Sequence, residues 1–205
     1  MIEKIGYFFE VSGWTMYGIA VCSIFALAVF LERLWTLRRE KTVPKGFSIE
    51  VEDLVRRGQI PEAVTLCRKN PTPLSRVVQV GLEGAEKSRG SVKETVDEVG
   101  RREATGLTRY MGLLNTTISV APMLGFLGTV LGMVQLFTAI AEAGEVTNVG
   151  MIAGGIYKAL YTTIAGLVVA IPATLFYRYL NSRIESLVAE MEEVSLRIVD
   201  LIGSD

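Results

Sequence analysis

The chain has 205 residues, about one domain's worth, half of them hydrophobic, with a formal net charge of −1. It contains no histidine, which excludes His-ligated metal sites, Ser-His and Cys-His catalysis and an imidazole proton shuttle. Two cysteines, Cys22 in an apolar run and Cys67 in a polar region, are not placed to form a disulfide. No cofactor or metal is expected, and without a polybasic block carrying interleaved aromatics neither is a nucleic-acid partner.

The hydrophobic residues are unevenly placed, and this sets the class. No charged residue interrupts 11–31, 110–141 or 159–177. A hydrocarbon core about 30 Å thick takes roughly 20 helical residues, so each run is long enough to span. A cleaved signal peptide is a poor reading of the first run, because Glu3 and Glu10 precede it and bulky "LERLW" follows. Sixteen of the 21 Lys and Arg residues lie between Arg33 and Arg109, and Arg178, Arg183 and Arg197 follow the third run. Cytoplasmic flanks collect such residues, so the N-terminus is expected outside, with the 33–109 region and the tail inside. The expected fold is an all-α membrane protein with three transmembrane helices, two of them extended into a cytoplasmic helical bundle.

In chain order, residues 1–12 form an outer amphipathic lead-in, 13–35 the first transmembrane helix and 36–108 the cytoplasmic helical domain. A second transmembrane helix covers 109–141, an outer loop 142–150, a third transmembrane helix 151–178 and a cytoplasmic C-terminal helix 179–205. Trp35 and the basic residues after it anchor the inner end of the first span. Within the domain, "SIEVEDLVRRGQ" and "PEAVTLCRKN" read as short helices, the second opened by Pro61. "NPTP" breaks the chain, and a third helix follows. Ser91 with Glu94 reads as a capping box, opening one helix that runs without a breaker into the second span. In the tail, Ile184, Leu187, Met191, Val194, Ile198 and Leu201 recur three and four residues apart. That stripe packs on this chain's own helices, on neighbouring copies, or on both.

The second span, "APMLGFLGTVLGMV", is rich in small residues. Gly125, Thr129 and Gly132 share a helical face, with Gly128 beside them and Asn115 roughly below toward the cytoplasm. Ala159, Thr163, Gly166 and Ala170 form a similar stripe in the third span. Small residues let membrane helices approach closely, so the stripes either pack helices together or line a cavity that another helix fills. Pro122 and Pro172 each remove a helical hydrogen bond and mark kinks. No acid lies between Glu10 and Glu142 at membrane depth, or between Glu145 and Glu185. An ion-driven machine therefore needs its acid from another chain, and an intramembrane enzyme lacks both a nucleophile–base pair and twin aspartates. A membrane scaffold remains the bland alternative.

"GWTMYGIAVCSIFALAVFLERLWTLRR", "VAPMLGFLGTVLGMVQLF" and "GIYKALYTTIAGLVVAIPATLFY" resemble the three spans of the ExbB/TolQ/MotA ion-channel family, the first more like ExbB than TolQ. The resemblance implies a homo-oligomeric ring, five-fold, around the transmembrane helices of an ExbD- or TolR-like single-span protein that carries the proton on a membrane aspartate. It implies coupling to a TonB- or TolA-like protein and contact with membrane lipid. Thr129 and Thr163 match the family's pore-lining threonines, so the glycine and alanine stripes are expected to face the lumen. One position departs: where the family has a glutamate in "GI-x-E-AL", this chain has Lys158. About 100° around the helix from Ala159, Lys158 is expected to turn from the axis and pair with a carbonyl or an acid, Glu142 or Glu145.

Overall fold

The computed structural model describes residues 14–85, 89–143 and 149–202, which are helical apart from short turns and contain no strand. Eight helices follow in order among them: α1 Trp14–Thr36, α2 Arg39–Thr42, α3 Lys45–Arg56, α4 Ile60–Lys69, α5 Pro73–Glu83, α6 Arg89–Leu107, α7 Met111–Ala143 and α8 Val149–Ile202. Three are long and apolar enough to cross a membrane: α1, α7 and α8. The chain divides into two compact units. One holds residues up to Leu31 with Tyr110–Arg178, the other Glu32–Arg109 with the chain from Tyr179 onward. The lead-in expected at 1–12 lies outside the described residues.

In the span unit, most buried positions are small or hydroxylated, with a few larger side chains such as Ile19, Met111, Leu114 and Leu136 among them. Thr15, Ile19 and Ala26 of α1 are inside, as are Leu114, Thr117 and Ala121 of α7 and Ala159, Thr162, Ala170 and Ala173 of α8. Most large side chains point outward, among them Phe25, Met123, Phe126, Phe137, Ile164 and Leu175. A soluble core has the reverse arrangement. In lipid, where tails are as apolar as leucine, close backbone approach holds helices together instead of a hydrophobic drive between them. Both α7 and α8 run through their prolines, Pro122 and Pro172, without interruption. Phe30 of α1 stacks on Phe176 of α8 with ring centroids 3.9 Å apart.

The second unit has an ordinary apolar core. Phe47, Val51 and Val55 of α3, Cys67 of α4, Leu74 and Val78 of α5 and Val96 of α6 are buried. So are Ile184, Leu187, Met191, Val194 and Ile198 of the α8 tail, while Leu201 is partly covered. The tail stripe thus packs within this chain: a Cβ at Gly81 of α5 would lie 3.3 Å from Val96 and 3.6 Å from Val199. Charge pairs fasten the tail as well. Arg39 grips Glu190 with Nε and Nη2, and Arg197 reaches Glu52 at 3.4 Å and Glu193 at 2.7 Å.

Two local expectations are corrected here. The capping box expected at Ser91 and Glu94 is absent, because α6 already includes Arg89 and holds Ser91 inside it. The box forms instead at the start of α5. Thr72 Oγ1 accepts from Ser75 N–H at 3.1 Å, Ser75 Oγ accepts from Thr72 N–H at 2.8 Å, and Pro73 takes the first helical position. The uninterrupted helix from Ser91 into the second span is also broken. α6 stops at Leu107, and Tyr110 takes a left-handed φ of 65° before α7 begins. The hydroxyls of Thr105 and Thr108 bond the carbonyls of Arg101 and Thr105, each at 2.9 Å, and Gly106 lies between them. Side chains that bond nearby backbone compete with helix continuation. Buried Arg33 donates through Nη1 to the Leu107 carbonyl at 3.5 Å, occupying one acceptor the helix end leaves open.

Candidate functional site

The two small-residue stripes meet each other. A Cβ at Gly125 of α7 would lie 2.7 Å from the Thr162 carbonyl oxygen and 3.0 Å from Thr163 Cα. At Gly166 of α8 it would lie 2.5 Å from the Ala121 carbonyl oxygen, and at Gly132 it would lie 2.9 Å from Ala159 Cβ. Gly125, Gly132, Ala159 and Gly166 therefore form a seam between antiparallel α7 and α8 in which backbone touches backbone. Gly128 sits beside it, where a Cβ would meet the hydroxyls of Thr162 at 2.7 Å and of Thr15 at 2.8 Å. Thr15 thus brings α1 against one edge of the seam. Ala170 is buried one turn past Gly166.

Three threonines cluster in the seam around Gly125. Thr162 is 2 % exposed and donates to the Ala159 carbonyl at 2.7 Å or the Gly125 carbonyl at 3.0 Å. Thr163 donates to the Gly125 carbonyl at 3.2 Å. Thr129 donates to Ala159 O at 3.1 Å or Gly125 O at 3.3 Å, and its hydroxyl lies 2.5 Å from that of Thr163. Thr129 and Thr163 are only half-buried, so this pair forms the open edge of the cluster, away from Thr15.

The proton count defines what the cluster does chemically. Three hydroxyls bring three protons: at 2.5 Å one of Thr129 and Thr163 donates to the other, and the remaining two protons go to the Ala159 and Gly125 carbonyls. In that arrangement the open edge presents oxygen lone pairs. It accepts a hydrogen bond from a protonated carboxylic acid or a water with no rearrangement. To receive a carboxylate, Thr129 or Thr163 has to rotate its proton outward and release its present acceptor, a carbonyl or the other hydroxyl. No hydroxyl here loses a proton at ordinary pH, so the cluster can hydrogen-bond an acid but cannot replace one.

Asn115 is not brought to the cluster; it is exposed, fourteen residues and about 21 Å along α7 from Thr129. Pro122 lies partly covered on α7 and Pro172 exposed on α8. Lys158 is exposed, directly before Ala159. Its suggested counter-ion Glu142 is not paired with it. Gly132 faces Ala159, which sets Glu142 about 13 Å further along the seam, a distance that uses the whole combined span of a lysine side chain of about 6 Å, a glutamate side chain of about 4 Å and an ion-pair contact of about 3 Å, with nothing left to cross between the helices. Glu145 lies outside the described residues. Sequence reasoning missed Thr15 and Thr162. For Thr162 a signal existed: it stands three residues after Ala159 and Thr163 four, and both spacings share a helical face.

Three apolar helices closed by a glycine seam, with hydroxyls but no carboxylate along it, define a multi-pass membrane protein of the channel kind. The chain belongs to the MotA/TolQ/ExbB proton channel family, whose pattern residues 69–193 match, a family of channel subunits of energy-transducing complexes and not of enzymes. It is 33% identical over 185 residues to a putative biopolymer transport protein ExbB homolog of Methanothermobacter thermautotrophicus, covering 90% of this chain and 65% of that one. It is 27% identical over 222 residues to the biopolymer transport protein ExbB of Pseudomonas putida, covering 98% and 66%. With the Tol-Pal system protein TolQ of Haemophilus influenzae it shares 34% over 113 residues, 55% of this chain and 49% of that one. The chain thus spans about two thirds of the length of the two ExbB relatives.

Proposed function

We propose that this chain is an inner-membrane subunit of an ion-motive-force-driven energy converter. Identical copies form a closed ring, five-fold by resemblance, with the N-terminus outside and the second unit and tail in the cytoplasm. The open Thr129–Thr163 edge faces the lumen, where an ExbD- or TolR-like single-span helix presents its acid. Ion flow through that acid drives a TonB-like partner in outer-membrane transport; a TolA-like partner in envelope maintenance is the second reading, favoured by the TolQ similarity over residues shared with that relative.

One observation carries the proposal: a paired hydroxyl edge, half-exposed, stands in apolar surroundings with no carboxylate of its own. A buried seam needs no such edge for packing alone. The lone pairs favour a protonated acid, and hydroxyl rotation lets the same edge hold the carboxylate, so a partner acid is solvated in both states as it passes. Gly125, Gly128, Gly132, Ala159, Gly166 and Ala170 serve this edge by fixing the two helices at close range.

Thr129→Val and Thr163→Val test the reading, since each removes a hydroxyl with little change in volume. With the native partner present, proton-gradient-dependent activity should fall about ten-fold or more while ring assembly persists. Loss of assembly with either change would instead make the hydroxyls packing elements, and unchanged activity in both would end the proposal.

A further inference from the structure

We infer that Lys158 is a binding site for the phosphate of an anionic phospholipid in the leaflet at the start of α8, the outer one on the orientation proposed above. An ammonium at membrane level requires a counter-ion or a route to the headgroups. The position of Lys158 is set by the helix itself. Lys158 and Arg178 stand twenty helical steps apart on α8, about 30 Å, which matches the hydrocarbon thickness. Between them the exposed face is unbroken apolar surface, including Leu160, Ile164, Leu167, Ile171 and Leu175. Lys158 therefore stands at one hydrocarbon–headgroup boundary and Arg178 at the other. The surroundings agree with this level: Tyr157 is 62% exposed and its hydroxyl lies 2.6 Å from that of Tyr161. Trp14 is exposed at the start of α1, whose next residue, Thr15, shares a level with Thr162 through Gly128. Tyrosine and tryptophan collect at this depth because one end of each ring is wet.

The direction of Lys158 decides among counter-ions. Lys158 and Phe176 are eighteen residues apart, about five full turns, so both point to the side on which Phe176 stacks against Phe30 of α1. Thr163 lies about 140° around from Lys158. An acid held at the Thr129–Thr163 edge is therefore on another side of the helix. A second copy offers no better partner among the described residues of this unit. Copies related by an axis along the membrane normal sit at one height, which leaves a neighbour's Glu142 as far along that normal as the chain's own. Phosphates occupy the level that Lys158 reaches. An anionic headgroup is favoured over a zwitterionic one, whose phosphate already has its own cation.

The test is lipid retention by the full-length protein purified with its native partner in mild detergent, read by native mass spectrometry. Wild type should keep phosphatidylglycerol in preference to phosphatidylcholine. Lys158→Gln should lower that retention about five-fold, Lys158→Arg should preserve it, and Arg178→Gln should leave the Lys158 component in place. If Lys158→Gln does not fold, titrating phosphatidylglycerol into wild-type protein in phosphatidylcholine nanodiscs reads the same site: thermal stability should rise with the anionic fraction, and a flat response overturns the inference. Equal retention in Lys158→Gln and wild type overturns it, as does protection by inorganic phosphate alone equal to that by the lipid. Partner co-purification and coupling measured on the same samples separate the two readings. Lost lipid with intact coupling supports the site, whereas lost coupling with intact lipid overturns it and puts Lys158 in the ion path. Failure of the ring reading with Lys158-dependent retention preserved leaves this site standing.

Discussion

Gly125→Ala puts a methyl group into a tight part of the seam beside the threonines, where its Cβ would lie 2.7 Å from the Thr162 carbonyl oxygen and 3.0 Å from Thr163 Cα. Both neighbours are backbone, so no rotamer change relieves the clash. Ordinary contact at about 3.5 Å requires α7 and α8 to part locally by about 0.8 Å. Overpacking of this kind costs about 1–3 kcal/mol. Separation also stretches the Thr163 bond to Gly125 O, now 3.2 Å, beyond hydrogen-bonding range, at about 0.6 kcal/mol inside a membrane, while Thr162 keeps its bond to Ala159 O on its own helix. The expected loss is about 2–4 kcal/mol. Helix unfolding by graded SDS addition to mild-detergent micelles, followed by circular dichroism, measures it. Gly112→Ala on the same helix is the control, since nothing lies within 4 Å of a Cβ there, and it should stay within about 0.5 kcal/mol of wild type. Wild-type stability in Gly125→Ala, or an equal loss in Gly112→Ala, would refute the seam as the source of cohesion.

Glu190→Gln removes the ion pair with Arg39, whose side chains are 26% and 36% exposed. A loss of about 1 kcal/mol is expected after allowance for solvent screening, and an unchanged unfolding midpoint would mean the tail is held by apolar contacts alone. Burial, with a smaller push from Glu83, raises the Cys67 thiol from its ordinary value of 9.0 to about 11. The neutral thiol is the form the fold prefers, so this contribution is fully present below about pH 9 and fades as pH rises through about 11. Maleimide at pH 8 should label folded protein at Cys67 at least ten-fold more slowly than denatured protein, read by mass spectrometry, and equal rates would contradict the burial. For orientation, Ile49 is a better reporter than its buried neighbour Ser48, being 70% exposed on α3. Ile49→Cys should resist an impermeant thiol reagent added to intact cells and react after permeabilisation; labelling from outside would reverse the proposed topology.

The number of spans and the class of protein were legible in the sequence, because an uncharged run of sufficient length has few other fates than a bilayer. The small-residue stripes and the tail periodicity were legible for a related reason: helical spacing states which side chains share a face. Spacing does not state which face meets which. That the Gly125 stripe seats on the Ala159 stripe of the same chain, with Thr162 inside and Thr163 at the edge, follows from the antiparallel register of α7 and α8, a long-range fact. The break at Leu107–Tyr110 escaped for a different reason. No proline or charge run marks it; it coincides with local hydroxyl bonds of Thr105 and Thr108 and with a contact from Arg33, 74 residues away, to a carbonyl at the helix end. Glu142 looked close to Lys158 along the chain, yet the pairing of Gly132 with Ala159 puts it more than two helical turns away. Register between helices, which no single helix encodes, set that distance.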